Sequence, residues 1–320
     1  MLNLLLIVIS LIIVVCLVMY IITPTATLFK FLISIERSIA RLYVDRLTID
    51  DFEIEYLRGG SGEPLLLLHG FGGDKDHWNR IAGYLGDHFD VIAIDLPGFG
   101  NSSSEITQDY DVKSQISRLK KIVDALELTE FHLAGSSMGG YLAGHFAAMY
   151  PNQIKNLWLI SPLGVENSDE SEMFKAINTG QHPIILPRNG SEFSALFANL
   201  FVKRPFVPTI VIAYLATMAE QRIELNTKIF NQIHPINHDG TYSALSLEKA
   251  LHNYQGAVLI TWGNKDRILD VSGALGLKQV LPDAHIDILN NVGHLPMLEQ
   301  PFNTAQPFIA LSKGKKESDC

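Results

Sequence analysis

Cysteine is scarce in this 320-residue chain, with only Cys16 in an apolar N-terminal run and Cys320 at the last position. Two thiols in such different settings do not make a structural disulfide, so the body of the protein reads as thiol-independent. Charge is also thin: Asp, Glu, Lys and Arg make up 18% of the residues against 47% hydrophobic ones, and the formal net charge is -9. A nucleic-acid partner is excluded by that balance, because phosphate binding needs clustered Lys and Arg that the chain does not supply. There is no internal repeat and no low-complexity tract. The length and the apolar content fit a large core with an insertion, and some of the apolar surface is expected to face lipid.

No charged residue precedes or interrupts the run from Leu4 to Ile22, which contains only Ser10 and Tyr20 as polar breaks. It is close to the roughly 20 residues that a helix needs to cross the hydrocarbon core. A cleaved signal peptide would carry a basic start and a small-x-small site, both missing here. A lipoprotein site at Cys16 would want a small residue where Val15 stands. Residues 1–23 are therefore read as a single-pass transmembrane anchor. After Pro24, Leu28, Phe31, Leu32, Ile35, Ile39 and Leu42 recur at helical spacing, with Lys30, Ser34, Arg37 and Arg41 between them. This predicts an amphipathic linker helix over 24–43, placed either at the lipid interface or against the rest of the protein. Lys30, Arg37 and Arg41 follow the span with no charge before it, so the positive-inside rule puts the remaining chain on the cytoplasmic side.

Beyond residue 43, short buried-strand patterns alternate with helical ones. Leu65–Leu68, Val91–Ile94, Phe131–Ala134, Leu157–Ile160, Val258–Thr261 and His285–Leu289 are the predicted strands. Asp111–Leu128 and Met138–Tyr150 read as helices. The pattern is that of an α/β protein with a mostly parallel central sheet and helices on both faces. From residue 162 to 255 no buried-strand pattern recurs, and a series of apolar helical stretches predicts an inserted helical cap. Core segments are thus expected at 44–161 and 256–312, with a frayed tail at 313–320. Most of the cap's apolar residues, such as Leu186, Leu196, Phe197, Phe201 and Ile212, are expected to pack its own core, and a subset to line an apolar pocket.

The segment Phe131–Gly140 reads FHLAGSSMGG, an apolar strand followed by G-S-S-M-G and a helical pattern. This is the G-x-S-x-G nucleophile elbow in its strand-to-helix context, with Ser137 as the predicted nucleophile. The glycines at 135 and 139 are expected where any larger side chain would strike neighbouring backbone. After the strand Leu65–Leu68 comes His69-Gly70-Phe71-Gly72-Gly73, in the loop that supplies a second oxyanion donor. The backbone N–H groups of Phe71 and Met138 are predicted as the oxyanion hole. His69 precedes the elbow and sits in a turn, which favours a structural hydrogen bond over a role as base. In this fold the acid and the histidine follow the serine in sequence. Asp266, in Trp262-Gly263-Asn264-Lys265-Asp266, and His294, in Asn291-Val292-Gly293-His294, each follow a predicted strand and complete the candidate set; Asp270 is the competing acid.

These stretches, with Asp95-Leu96-Pro97-Gly98-Phe99-Gly100 and Trp262–Gly273, resemble the α/β-hydrolase-domain monoacylglycerol lipases and the related cold-active bacterial lipases. The likeness covers nearly all of the chain after residue 43, and Val202–Pro208 resembles the bacterial enzymes. In that family the acid is the Asp of the W-G-x-x-D segment, which supports Asp266. The resemblance implies a serine hydrolase that cleaves carboxylic esters of lipids, with no cofactor and no metal. Two alternatives remain: a carbon–carbon bond hydrolase of the same fold, and a ligand-binding receptor that has lost the chemistry. A nucleotide loop at Gly98-Phe99-Gly100 is set aside because position 103 is Ser103. A metal pair at His234 and His238 is set aside because Pro235 breaks the helix between them.

Overall fold

The computed structural model describes residues 24–234 and 244–314. The expected anchor over 1–23, Cys16, His238 and Cys320 lie outside them. Among the described residues no helix is long and apolar enough to cross a membrane.

Eight strands form one sheet: β1 (Tyr43–Ile49), β2 (Phe52–Gly60), β3 (Glu63–Leu68), β4 (Phe89–Ile94), β5 (Phe131–Ser136), β6 (Ile154–Ile160), β7 (Ala257–Gly263) and β8 (His285–Leu289). Their spatial order is β1-β2-β4-β3-β5-β6-β7-β8. From β4 to β8 the neighbours are parallel, while β1 and β2 add an antiparallel edge. All six predicted strands are present. The β1–β2 hairpin was not anticipated; Glu53, Glu55 and Arg58 break up the apolar residues of β2, and β1 is exposed along most of its length.

The central strands are apolar on both faces because helices cover both. Alternate residues of β3 separate cleanly: Leu66 and Leu68 join one core with Ile92, Leu133, Leu159 and Ile260, while Leu65 and Leu67 join the other with Trp78, Trp158 and Phe308. All four leucines are fully buried, and each contributes about 1.5–3 kcal/mol relative to an exposed position. The helices of the first half of the chain are α1 (Thr25–Ile39), α2 (Asn79–Leu85), α3 (Val112–Ala125) and α4 (Met138–Met149); α3 and α4 pack into the first of these cores and α2 into the second. Helix α3 is capped by Asp111, whose carboxylate accepts from Ser114 N–H at 2.9 Å, satisfying one of the orphan donors of its first turn.

Between β6 and β7 the described residues form helices only: α5 (Glu172–Asn178), α6 (Gly190–Leu200), α7 (Thr209–Gln221), α8 (Ile223–Ile233) and α9 (Leu247–Leu251). Helix α8 is held to the core by Lys228, which donates to the carbonyls of Ile106 and Gln108, and by Arg222, which donates to Gly98 O. The chain closes with α10 (Gly273–Val280), α11 (Pro296–Glu299) and α12 (Pro301–Ser312).

Helix α1 has the predicted period, but its apolar stripe is not what docks it. It is fastened by Arg37 to Asp76 through two 2.7 Å hydrogen bonds, by Glu36 to Arg80, and by Phe29 against Tyr214 of α7 at 5.4 Å. Phe31 and Ile39 stay 60% and 75% exposed. The helix thus packs on the protein and keeps an apolar ridge outward. It ends at Ile39, and the predicted 24–43 helix is shorter by the residues that turn into β1.

Candidate active site

Ser137 lies between β5 and α4 with φ 55° and ψ -118°, in a region that side chains with a Cβ seldom occupy. The turn is held by Ser137 N–H donating to Ile160 O at 2.9 Å, and by Tyr141 and Leu163 N–H donating to Ser137 O. The turn forces close backbone contact: a Cβ on Gly135 would come 2.1 Å from Gly139 O, and one on Gly139 would come 2.1 Å from Leu68 O. Both glycines are therefore fixed by space, as the motif requires. A strained residue at the tip of a strand is the usual signature of a site where position matters more than local stability.

Strand β3 pairs directly with β5, and Leu68 stands opposite Gly135. The loop after β3 consequently rises beside Ser137: a Cβ on Gly70 would meet Ser137 Cβ at 3.2 Å. A turn closed by Gly73 N–H on Gly70 O, with Gly72 at φ 68°, contains Phe71. Met138 opens α4, where the first N–H groups have no partner within the helix. The two predicted oxyanion donors thus belong to segments that flank the serine. The Phe71 ring packs edge-on against Phe99 at 5.6 Å and against Phe230 of α8 at 6.0 Å, so the cap touches this loop.

His69 is fully buried and serves the scaffold, as its position predicts. Its Nε2 accepts from Leu96 N–H at 3.0 Å, which leaves Nδ1 to donate to Gly70 O at 2.7 Å. Burial pushes its pKa down to about 4, keeping the ring neutral. Below it lies a network that the sequence did not disclose. Lys75, 1% exposed, places its ammonium 2.8 Å from both Glu55 and Asp95. Burial opposes that charge, but the two carboxylates outweigh it and raise the Lys75 pKa. Burial likewise opposes the Glu55 carboxylate, yet hydrogen bonds from Lys75, Asn101 and Arg46 bring it down to about 2. Asp95 also accepts from the backbone N–H of Lys75 and Asn101, each at 2.7 Å. The loop after β3 and the loop after β4 are therefore tied together. No local pattern marks this network, since Lys75 stands between Asp74 and Asp76 just after the Gly-rich turn.

Asp266 follows β7 and His294 follows β8. His294 Nδ1 donates to Asp266 Oδ2 at 2.8 Å, with both side chains nearly or fully out of solvent. Asp266 also accepts from Ile268 N–H (2.8 Å), Leu269 N–H (3.0 Å) and Trp262 Nε1–H (3.1 Å). Four donors on one carboxylate fix its orientation. Asp270 instead caps its own turn, accepting from Ser272 N–H at 2.9 Å. Of the two acids it is Asp266 that meets the imidazole. His234 is buried in the cap, stacked on Phe230 at 4.4 Å with its pKa lowered to about 4 by burial.

Two clefts lie in or beside the cap. One, of about 290 Å³, opens where the cap begins, between Leu163, Phe174, Trp262, Leu269, Asp169 and Asp270. The other, of about 410 Å³, is an apolar groove within the cap, lined by Phe197, Phe206, Val207 and Ile212 with Ser194 and Arg204. Leu186, Leu196 and Phe201 pack inward instead.

Residues 63–204 match the family described as the alpha/beta hydrolase fold. Lipase 3 of Moraxella sp. (strain TA144) is 33% identical over 290 residues, covering 89% of this chain and 90% of that protein. The chain belongs to the α/β-hydrolase family. Monoacylglycerol lipase ABHD6 of Homo sapiens is 28% identical over 271 residues, covering 81% of this chain and 79% of the relative. A solved structure of a membrane phospholipase A, described as a bacterial virulence factor, superposes with a TM-score of 0.86 at 36% identity, over 98% of this chain and 99% of that one. At this level of likeness the α/β-hydrolase described here is a lipase-like serine hydrolase.

Proposed function

We propose that this hydrolase cleaves carboxylic esters of lipids, with monoacylglycerols as the leading substrate class, through an acyl-enzyme on Ser137. The observation that carries the reading is the His294–Asp266 hydrogen bond, 2.8 Å long and buried, in a chain whose Ser137 occupies a strained elbow. With Nδ1–H committed to Asp266, the ring presents Nε2 as the proton acceptor. Ser137 Oγ attacks the ester carbonyl and His294 takes its proton. The N–H groups of Phe71 and Met138 receive the developing oxyanion, and each such donor is worth about 2.7–4 kcal/mol in the transition state. His294 returns the proton to the departing glycerol alcohol. Water activated by the same ring then releases the fatty acid.

The names of the relatives, a lipase and a monoacylglycerol lipase among them, support an acylglycerol over other esters. The apolar cap groove suits an acyl chain. The Leu4–Ile22 run is read as an anchor that holds the enzyme where such substrates reside, with the catalytic domain on the cytoplasmic face. A panel of mono-, di- and triacylglycerols, phospholipids and ring-cleavage diketones, given to the full-length protein and to Ser137→Ala, tests the proposal. Wild-type enzyme should favour monoacylglycerols, and the variant should lose nearly all turnover and all fluorophosphonate labelling. Preference for diketones, or retained turnover in the variant, refutes it.

A further inference from the structure

We infer that Glu299 is a positioning residue for His294, and that it works by fastening the histidine loop to the cap. Its carboxylate gathers three backbone donors from two distant segments. Oε2 accepts from Gly293 N–H at 3.0 Å and from Val202 N–H at 3.2 Å, and Oε1 accepts from Lys203 N–H at 2.7 Å. Gly293 is the residue before the imidazole; Val202 and Lys203 are where the chain leaves α6. A fourth bond closes the junction directly: His294 N–H donates to Leu200 O, the last residue of α6, at 2.9 Å.

Space allows the loop little alternative. A Cβ on Gly293 would come 2.5 Å from Leu200 O, and a Cβ on Gly263 would come 2.2 Å from Gly293 O. The histidine loop is thus pressed between the end of β7 and the exit of α6, with Glu299 closing the third side. Asp266 fixes only one ring nitrogen; the backbone that aims the ring is set by the cap exit and Glu299. The α6 exit therefore acts as part of the catalytic frame. A charged acceptor suits this place because hydrogen bonds to an ionised group are shorter and stronger than neutral ones.

The inference rests on His294 being the base proposed above. Glu299→Gln keeps the shape but offers one oxygen and one amino group where three N–H donors converge, so one donor must face another donor. Lys203→Pro removes the shorter of the two cap-side N–H bonds and leaves Glu299 and the N–H groups of Val202 and Gly293 in place. Both are compared with wild type and Ser137→Ala in the full chain, using a short water-soluble ester, circular dichroism and thermal melts. Mispositioning the base predicts a kcat reduced about 10- to 100-fold with KM within about twofold in both variants. It also predicts a shifted or broadened far-downfield proton NMR signal from His294 Nδ1–H in protein that remains folded. A merely structural role lowers the melting temperature and leaves both readouts at wild type in the folded protein, which overturns the proposal. Normal kcat in Lys203→Pro with a damaged Glu299→Gln overturns the link to the cap. If Glu299→Gln does not fold, the Lys203→Pro result decides alone. Activity surviving in Ser137→Ala would mark failure of the proposed function instead.

Discussion

Replacing Asp266 by Asn changes one atom of the acid and should nearly silence the enzyme, for a reason visible in its four donors. Oδ1 accepts from Ile268 and Leu269 N–H, while Oδ2 accepts from His294 Nδ1 and Trp262 Nε1. An asparagine will keep its oxygen toward the two backbone N–H groups and turn its amino group toward the histidine. That amino group can bond Nδ1 only if Nδ1 carries no proton, so the imidazole is driven to the other tautomer. Nε2 then holds the hydrogen and cannot accept one from Ser137. Loss of the correct tautomer costs about 10⁴ in kcat, roughly 5 kcal/mol of transition-state stabilisation. Trp262 retains its second acceptor, Leu269 O at 3.1 Å, so the fold should survive. Steady-state hydrolysis of a p-nitrophenyl ester, normalised to folded protein, measures the effect, with Asp270→Asn as the comparison. A Asp266→Asn enzyme within about tenfold of wild type, or greater damage from Asp270→Asn, would refute the reasoning.

Three further outcomes concern residues packed around the serine turn. His69 titrates near pH 4 in the fold against 6.5 for an unperturbed ring, so the unfolded chain binds the extra proton first as pH falls. Stability from this group is fully present above about pH 6.5 and is lost toward pH 4, by up to about 3 kcal/mol. Urea unfolding between pH 7 and 4.5 should therefore show a steeper decline in wild type than in His69→Asn; equal slopes would contradict the buried neutral ring. Gly139→Ala should cost more than about 3 kcal/mol, since its Cβ has backbone oxygen at 2.1 Å. Gly70→Ala meets Ser137 Cβ at 3.2 Å and Ser136 O at 3.4 Å and should fold normally while losing about tenfold in kcat; melting temperatures and rates on the purified variants separate the two.

The parts of the fold that could be read from the sequence are those in which local pattern and tertiary role coincide. Runs such as Leu65–Leu68 are apolar because both faces of the sheet are covered, and G-S-S-M-G around Ser137 is dictated by a turn that only glycine fits. The β1–β2 edge was missed because β1 is exposed along most of its length and β2, although largely buried, carries Glu53, Glu55 and Arg58 among its apolar residues, so neither strand shows an uninterrupted apolar run. Helix α1 kept its period, but charged side chains dock it, and no pattern of hydrophobicity could show that. The choice of Asp266 over Asp270 rested on position in the loop, with the family likeness in support; in the structure the direction of each carboxylate separates them. Glu299 and Lys75 were invisible for another reason. Their partners are backbone N–H groups or carboxylates brought near by the topology, and a single side chain in a sequence does not reveal which amides surround it.

The indole of Trp262 touches the acid itself, while Trp78 and Trp158 lie in the core away from it, the latter stacked on Phe308 at 4.6 Å. All three are shielded from water, so the native emission spectrum should be blue-shifted, with Trp262 alone sensitive to the charge and hydrogen bonding of Asp266. The protein thus carries an intrinsic optical probe at the carboxylate proposed as its catalytic acid. Once the other two indoles are replaced by phenylalanine, proton movement on the histidine during a single turnover becomes readable as a change in light.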